Sequence, residues 1–66
     1  MAVVLNGKDV GIAEGMTLLE LLKSQNISPE TVVVECNKEI VPSDAFAGTI
    51  LNDDDHLEVL RFVGGG

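Results

Sequence analysis

The chain has no tryptophan, no tyrosine and only two phenylalanines, so its core has to be filled by aliphatic side chains. One cysteine cannot close an internal disulfide, which removes the cross-linked secreted scaffold from consideration. One histidine, His56, far in sequence from that cysteine, Cys36, gives no adequate basis for a zinc site or a Cys-His nucleophile pair. Basic side chains are also scarce. Four Lys and Arg against eleven Asp and Glu leave a net charge of −7, which repels nucleic acid and anionic lipid and asks any protein partner for a basic surface. No apolar run approaches the roughly 20 residues that cross a bilayer, and no signal-peptide pattern precedes the first strand. The expected location is the cytoplasm, with neither membrane nor nucleic acid as partner. Asp53, Asp54 and Asp55 lack the glycine and distal glutamate of a calcium loop, so no metal is expected and a solvated turn is.

What is present is a folded pattern. Apolar residues make up 45% of the chain with regular punctuation, whereas disordered chains are poor in them. Sixty-six residues give one domain with a small core, burying about 60% of the unfolded surface. Asn6-Gly7 between two apolar runs is a hairpin signal, because both turn positions need positive φ. The register it fixes places Met1, Val3, Leu5, Val10 and Ile12 on one face, and Ala2 and Val4 on the other. Thr17-Leu18-Leu19-Glu20 reads as a capping box for a helix starting at Leu18, with Met16 and Leu21 as the staple over it. Leu18, Leu21 and Leu22 form its inner side, and Asn26 is a left-handed stop. About ten residues of helix are expected, since Pro29 discourages anything beyond Ser28.

A β-branched strand is expected over residues 31–36, with Cys36 alternating with the core valines as a small buried hydrophobe. The Asn37-Lys38 turn leads to a short edge strand over 39–41 that Pro42 ends. Residues 43–48 make one helical turn that drops Phe46 onto the core, and Thr49 to Leu51 is a brief extended piece. The last strand runs from His56 or Leu57 to Val63, with Leu57, Val59 and Val63 inward and Glu58, Leu60 and Phe62 outward. The order strand, strand, helix, strand, short strand, turn, strand is that of an α+β β-grasp: a mixed sheet of four to five strands with one main helix on one face. The first and last strands should lie parallel in its middle.

Two features remain outside that core. Val4, Val33, Leu60 and Phe62 share the sheet face away from the helix, where they form a candidate docking patch; the competing reading folds Phe62 over the sheet edge. Gly64, Gly65 and Gly66 follow as a flexible tail behind a domain of residues 1–63. With no Cβ, such a tether of roughly 10 Å enters slots closed to other residues and carries its carboxylate into another protein's active site. These glycines lack the Lys and Ser/Thr of a phosphate-binding loop.

Leu5-Asn6-Gly7, the helix start Thr17 to Leu22, the run Asn37-Lys38-Glu39-Ile40-Val41-Pro42 and the ending Phe62-Val63-Gly64-Gly65-Gly66 together resemble the ThiS family, the sulfur carrier proteins of thiamine biosynthesis. The resemblance covers essentially the whole chain. It departs at Ser43, where family members often have Arg, and at Asp54-Asp55, where Gly-Asp is common; these bear on a partner contact and a turn shape. The resemblance implies a protein co-substrate with no catalytic residue and no bound cofactor of its own. A ubiquitin-activating-like enzyme would use Mg-ATP to adenylate Gly66, a cysteine-derived sulfur donor would convert it to a thiocarboxylate, and thiazole synthase would take the sulfur. Gly64 and Gly65 would thread into both enzymes. Three alternatives stay open: the small subunit of molybdopterin synthase, which uses the same chemistry, a protein modifier joined to lysine, and a non-covalent interaction domain whose glycines are idle.

Overall fold

The computed structural model describes residues Met1–Arg61, and the expectations for Phe62, Val63 and the glycine tail lie outside them. Five strands form one sheet in the order β2-β1-β5-β3-β4: β1 Ala2–Leu5, β2 Lys8–Gly11, β3 Val32–Cys36, β4 Glu39–Val41 and β5 His56–Arg61. The sheet is mixed. β1 and β5 pair in parallel, while β1 with β2, β3 with β4 and β3 with β5 are antiparallel. The β-grasp arrangement expected from the element order is therefore present, with five strands and with β5 at the centre.

Local chemistry explains most of the elements. Asn6 and Gly7 take φ of 50° and 84°, Val3 lies opposite Val10 and Leu5 opposite Lys8, as the two-residue turn requires. Asn37 and Lys38 repeat the device at φ of 52° and 73° to join β3 to β4. The helix α1, Leu18–Ser24, opens with both halves of the capping box: the Glu20 N–H donates to the Thr17 hydroxyl at 3.1 Å, and the Thr17 N–H donates to the Glu20 carboxylate at 2.9 Å. Leu18, Leu21 and Leu22 are fully buried. Asn26, at φ 59°, stops the chain in the left-handed conformation just past the Gln25 cap.

The core holds Val3, Leu5, Leu18, Leu21, Leu22, Val32, Val34, Phe46, Leu51 and Leu57 between α1 and one sheet face. Phe46 reaches it from a 3-10 helix, Ser43–Gly48, and Leu51 from an extended piece whose Ile50 bridges Thr17.

Several expectations are corrected. The helix has seven residues, not about ten, because the left-handed Asn26 reverses the chain before Pro29, which instead starts a 3-10 turn, Pro29–Thr31. Thr31 belongs to that turn, so β3 begins at Val32. Met1 is 53% exposed at the strand's free end, although its carbonyl still accepts from the Ile12 N–H at 2.8 Å. Cys36 is only half-buried at the end of its strand. Asp55 is buried, so the acidic turn is not wholly solvated.

Candidate functional site

Gly64, Gly65, Gly66 and Phe62 lie outside the described residues, so the site is approached through the strand that leads to them. That strand is the central one of the sheet. β5 is flanked by β1 and β3, and its pairing with β3 runs from Cys36 opposite Leu57 to Val32 opposite Arg61. Leu57 is fully buried and Val59 half-buried, fixing the inward face; Glu58 and Leu60 are exposed on the other.

The four residues of the candidate patch are only partly brought together. Val33 and Leu60 are register partners on β3 and β5, with Leu60 62% exposed. Val4 lies opposite His56, four positions before Leu60 on β5 (60 − 56), or roughly 13 Å along the strand. Glu58 stands between them, so Val4 is not continuous with the pair, a correction to the patch as drawn from alternation alone.

A different residue joins Val33. Ile40 on edge strand β4 pairs with Glu35, which puts it on the same open face, and it is 67% exposed. It also borders a shallow notch of about 210 Å³ shared with Val32, Val33, Pro42 and Phe46. Alternation overlooked it because residues 39–41 are too short to show a period. The two-residue turn at Asn37-Lys38 held the signal, since it forces Glu35 opposite Ile40.

The electrostatics of this face are one-sided. Glu35 on β3 lies directly opposite Glu58 on β5, beside the Val33 and Leu60 pair, and Asp9 lies opposite Val4. Like charges across a ladder destabilise the free sheet and favour a cationic partner. Among the described residues no group of three or more His, Cys, Asp and Glu is arranged to hold a metal ion. Burial, then the charges of Asp55 and Glu39, push the Cys36 thiol above its ordinary range, so it is poorly suited to act as a nucleophile.

A model of the ThiS family matches residues 2–66. The chain belongs to the ThiS family. Within reach of that family it is 41% identical over 63 residues to the sulfur carrier protein ThiS of Bacillus subtilis, covering 94% of this chain and 96% of that one. The crystal structure of the thiamine biosynthesis protein ThiS from Geobacter metallireducens superposes with a TM-score of 0.84 at 38% identity, covering the whole of both chains. A thiazole synthase of Paramagnetospirillum magneticum is 39% identical over 66 residues, which make up 20% of its length. The chain thus spans about a fifth of that relative, and the same holds for a thiazole synthase of Magnetococcus marinus, also 39% identical. No helix among the described residues is long and apolar enough to cross a membrane.

Proposed function

We propose that the chain is a sulfur carrier for thiazole formation in thiamine biosynthesis, a protein substrate that other enzymes act on. The observation that carries this reading is the similarity to the Bacillus subtilis sulfur carrier over nearly the full length of both chains. The chemistry follows from Gly66. A carboxylate is a poor electrophile, so an activating enzyme first joins it to AMP from Mg-ATP and releases pyrophosphate. A cysteine-derived persulfide then attacks the acyl carbon and AMP leaves; a thiol cleaves the resulting acyl disulfide by exchange, and a thiocarboxylate remains on Gly66. Gly64 and Gly65, having no Cβ, suit a slot narrow enough to exclude water from that mixed anhydride.

Thiazole synthase is the proposed acceptor of the sulfur, and the ThiS-like segments in two proteins of that name support the pairing. The open sheet face is the proposed docking surface: Val33, Leu60 and Ile40 supply apolar contact, Glu35 and Glu58 charge, and Phe62 is proposed as a further apolar contact. ATP and Mg belong to the activating enzyme, and the carrier needs no cofactor of its own. The cytoplasm, where ATP and reduced sulfur are at hand, is the proposed location.

The test is intact-mass analysis after incubation with ATP, an activating enzyme and a sulfur donor. The expected result is a gain equal to sulfur replacing one oxygen, abolished when one residue is appended after Gly66. Retained modification in the extended protein would place the cargo elsewhere.

A further inference from the structure

Asn6 occupies the first turn position of the β1–β2 hairpin at φ 50°. Aspartate and glycine suit that conformation as well, so the turn alone does not account for asparagine. The side chain supplies a second reason. Its Nδ2 donates to the Val59 carbonyl at 3.2 Å, and its Oδ1 accepts from the Val59 N–H at 2.7 Å. One side-chain amide therefore meets Val59 as the peptide group of a neighbouring strand would. The preceding rungs are backbone: Val4 N–H to the Asp55 carbonyl at 2.8 Å and Asn6 N–H to the Leu57 carbonyl at 2.9 Å. Odd-numbered residues of β5 thus present their peptide groups to β1, and the Asn6 amide adds a rung after its own main chain has turned away.

The next such residue is Arg61. Among the described residues no hydrogen bond reaches it from the β1 side, and its register partner is Val32 on β3. Asn6, Val59 and Arg61 also border one open cleft of about 360 Å³, with Ile27 and Val32 on its apolar wall.

We propose that Asn6 is a positioning residue for the reactive end, the last hold of β1 on the strand leading to Gly66, and that it fixes the β1 side of that strand at Val59. This rests on the carrier reading. Gly66 lies seven positions beyond Val59 (66 − 59), and without the clamp β5 beyond Leu57 is held by β3 alone, through Arg61 opposite Val32. A strand end held from one side only has more conformations to surrender when the segment after it enters an enzyme's slot. The cost falls on binding, because the geometry of adenylation is set by the activating enzyme once the tail is seated.

The experiment compares Asn6→Gly, which keeps the left-handed turn and removes both bonds, with Asn6→Asp, which keeps the acceptor but sets a carboxylate oxygen against the Val59 carbonyl. Hydrogen exchange should quicken at the Val59 amide by about tenfold in Asn6→Gly, with the core amides of Leu21 and Val34 unchanged. KM for the carrier in adenylation should rise several-fold at constant kcat, less in Asn6→Asp than in Asn6→Gly. Unchanged exchange at Val59, or faster exchange with unchanged KM, overturns the proposal. Wild-type protein that is never adenylated overturns the carrier reading and the reactive role together, while the exchange measurement still reports whether Asn6 holds β5.

Discussion

Asn37 and Asp55, eighteen residues apart in sequence, hold each other through a 3.0 Å hydrogen bond from Asn37 Nδ2 to Asp55 Oδ1. The other carboxylate oxygen accepts from the Asn52 N–H at 2.8 Å, and Asn37 Oδ1 accepts from the His56 N–H at 3.0 Å. Two donors converge on a carboxylate that is 9% exposed, so the site needs a group that only accepts. Asp55→Asn turns an NH2 toward one of those donors. It should cost about 2 kcal/mol, lowering Tm by roughly 10 °C in a domain this small. A variant that melts with the wild type would show the bonds to be dispensable.

The capping box at Thr17 makes a separate claim on stability. Thr17→Ala leaves the Glu20 N–H without its acceptor and should cost about 1 kcal/mol, which Thr17→Ser should largely restore. Chemical denaturation followed by circular dichroism measures both, and equal losses from the two substitutions would point to the methyl group instead of the hydroxyl.

Glu35 and Glu58 face each other across β3 and β5, so relieving that repulsion should stabilise the free protein. Glu58→Gln is expected to gain a few tenths of a kcal/mol at low ionic strength, with the advantage shrinking at 1 M salt, where the screening length falls to about 3 Å. No gain at low salt would mean that the two side chains splay apart in solution.

Leu60 is exposed, and replacing it with serine should leave stability within about 0.5 kcal/mol of wild type. Adenylation of the variant should nonetheless slow through a raised KM, as expected of an apolar contact at the centre of a docking face. Unaltered kinetics would move the docking surface elsewhere.

Cys36 should alkylate more slowly than a free thiol at neutral pH, because burial and then the Asp55 and Glu39 charges favour its protonated form. The same shift has a sign in folding. The folded state holds the thiol proton more tightly than the unfolded state, so stability is unaffected below the ordinary thiol range and declines as pH rises through it toward the raised folded value. Rates with iodoacetamide between neutral and alkaline pH test this, and reaction at the free-cysteine rate would contradict it.

Much of the fold was legible because short-range chemistry specifies it. Asn6-Gly7, Asn37-Lys38 and the Thr17 to Glu20 box each dictate a local geometry, and alternation in β3 and β5 then decides what faces inward. The hidden parts depend on partners far away in sequence. Asp55 reads as one of three solvated acids until Asn37 is placed beside it, and the second role of Asn6 requires Val59, 53 residues on. The candidate patch shows the limit of period arguments: Val4 and Leu60 share a face, but only register reveals the distance between them and the nearness of Ile40 to Val33.

The parallel pairing of β1 with β5 also bears on how the molecule is made. Val4 meets His56 only after a 52-residue loop has closed (56 − 4), so the middle strand of the sheet is made after the other four. Chains cut short before His56 would have a hairpin, a helix and a β3–β4 ribbon with a gap where their common neighbour belongs. Such fragments should be unfolded and quickly degraded.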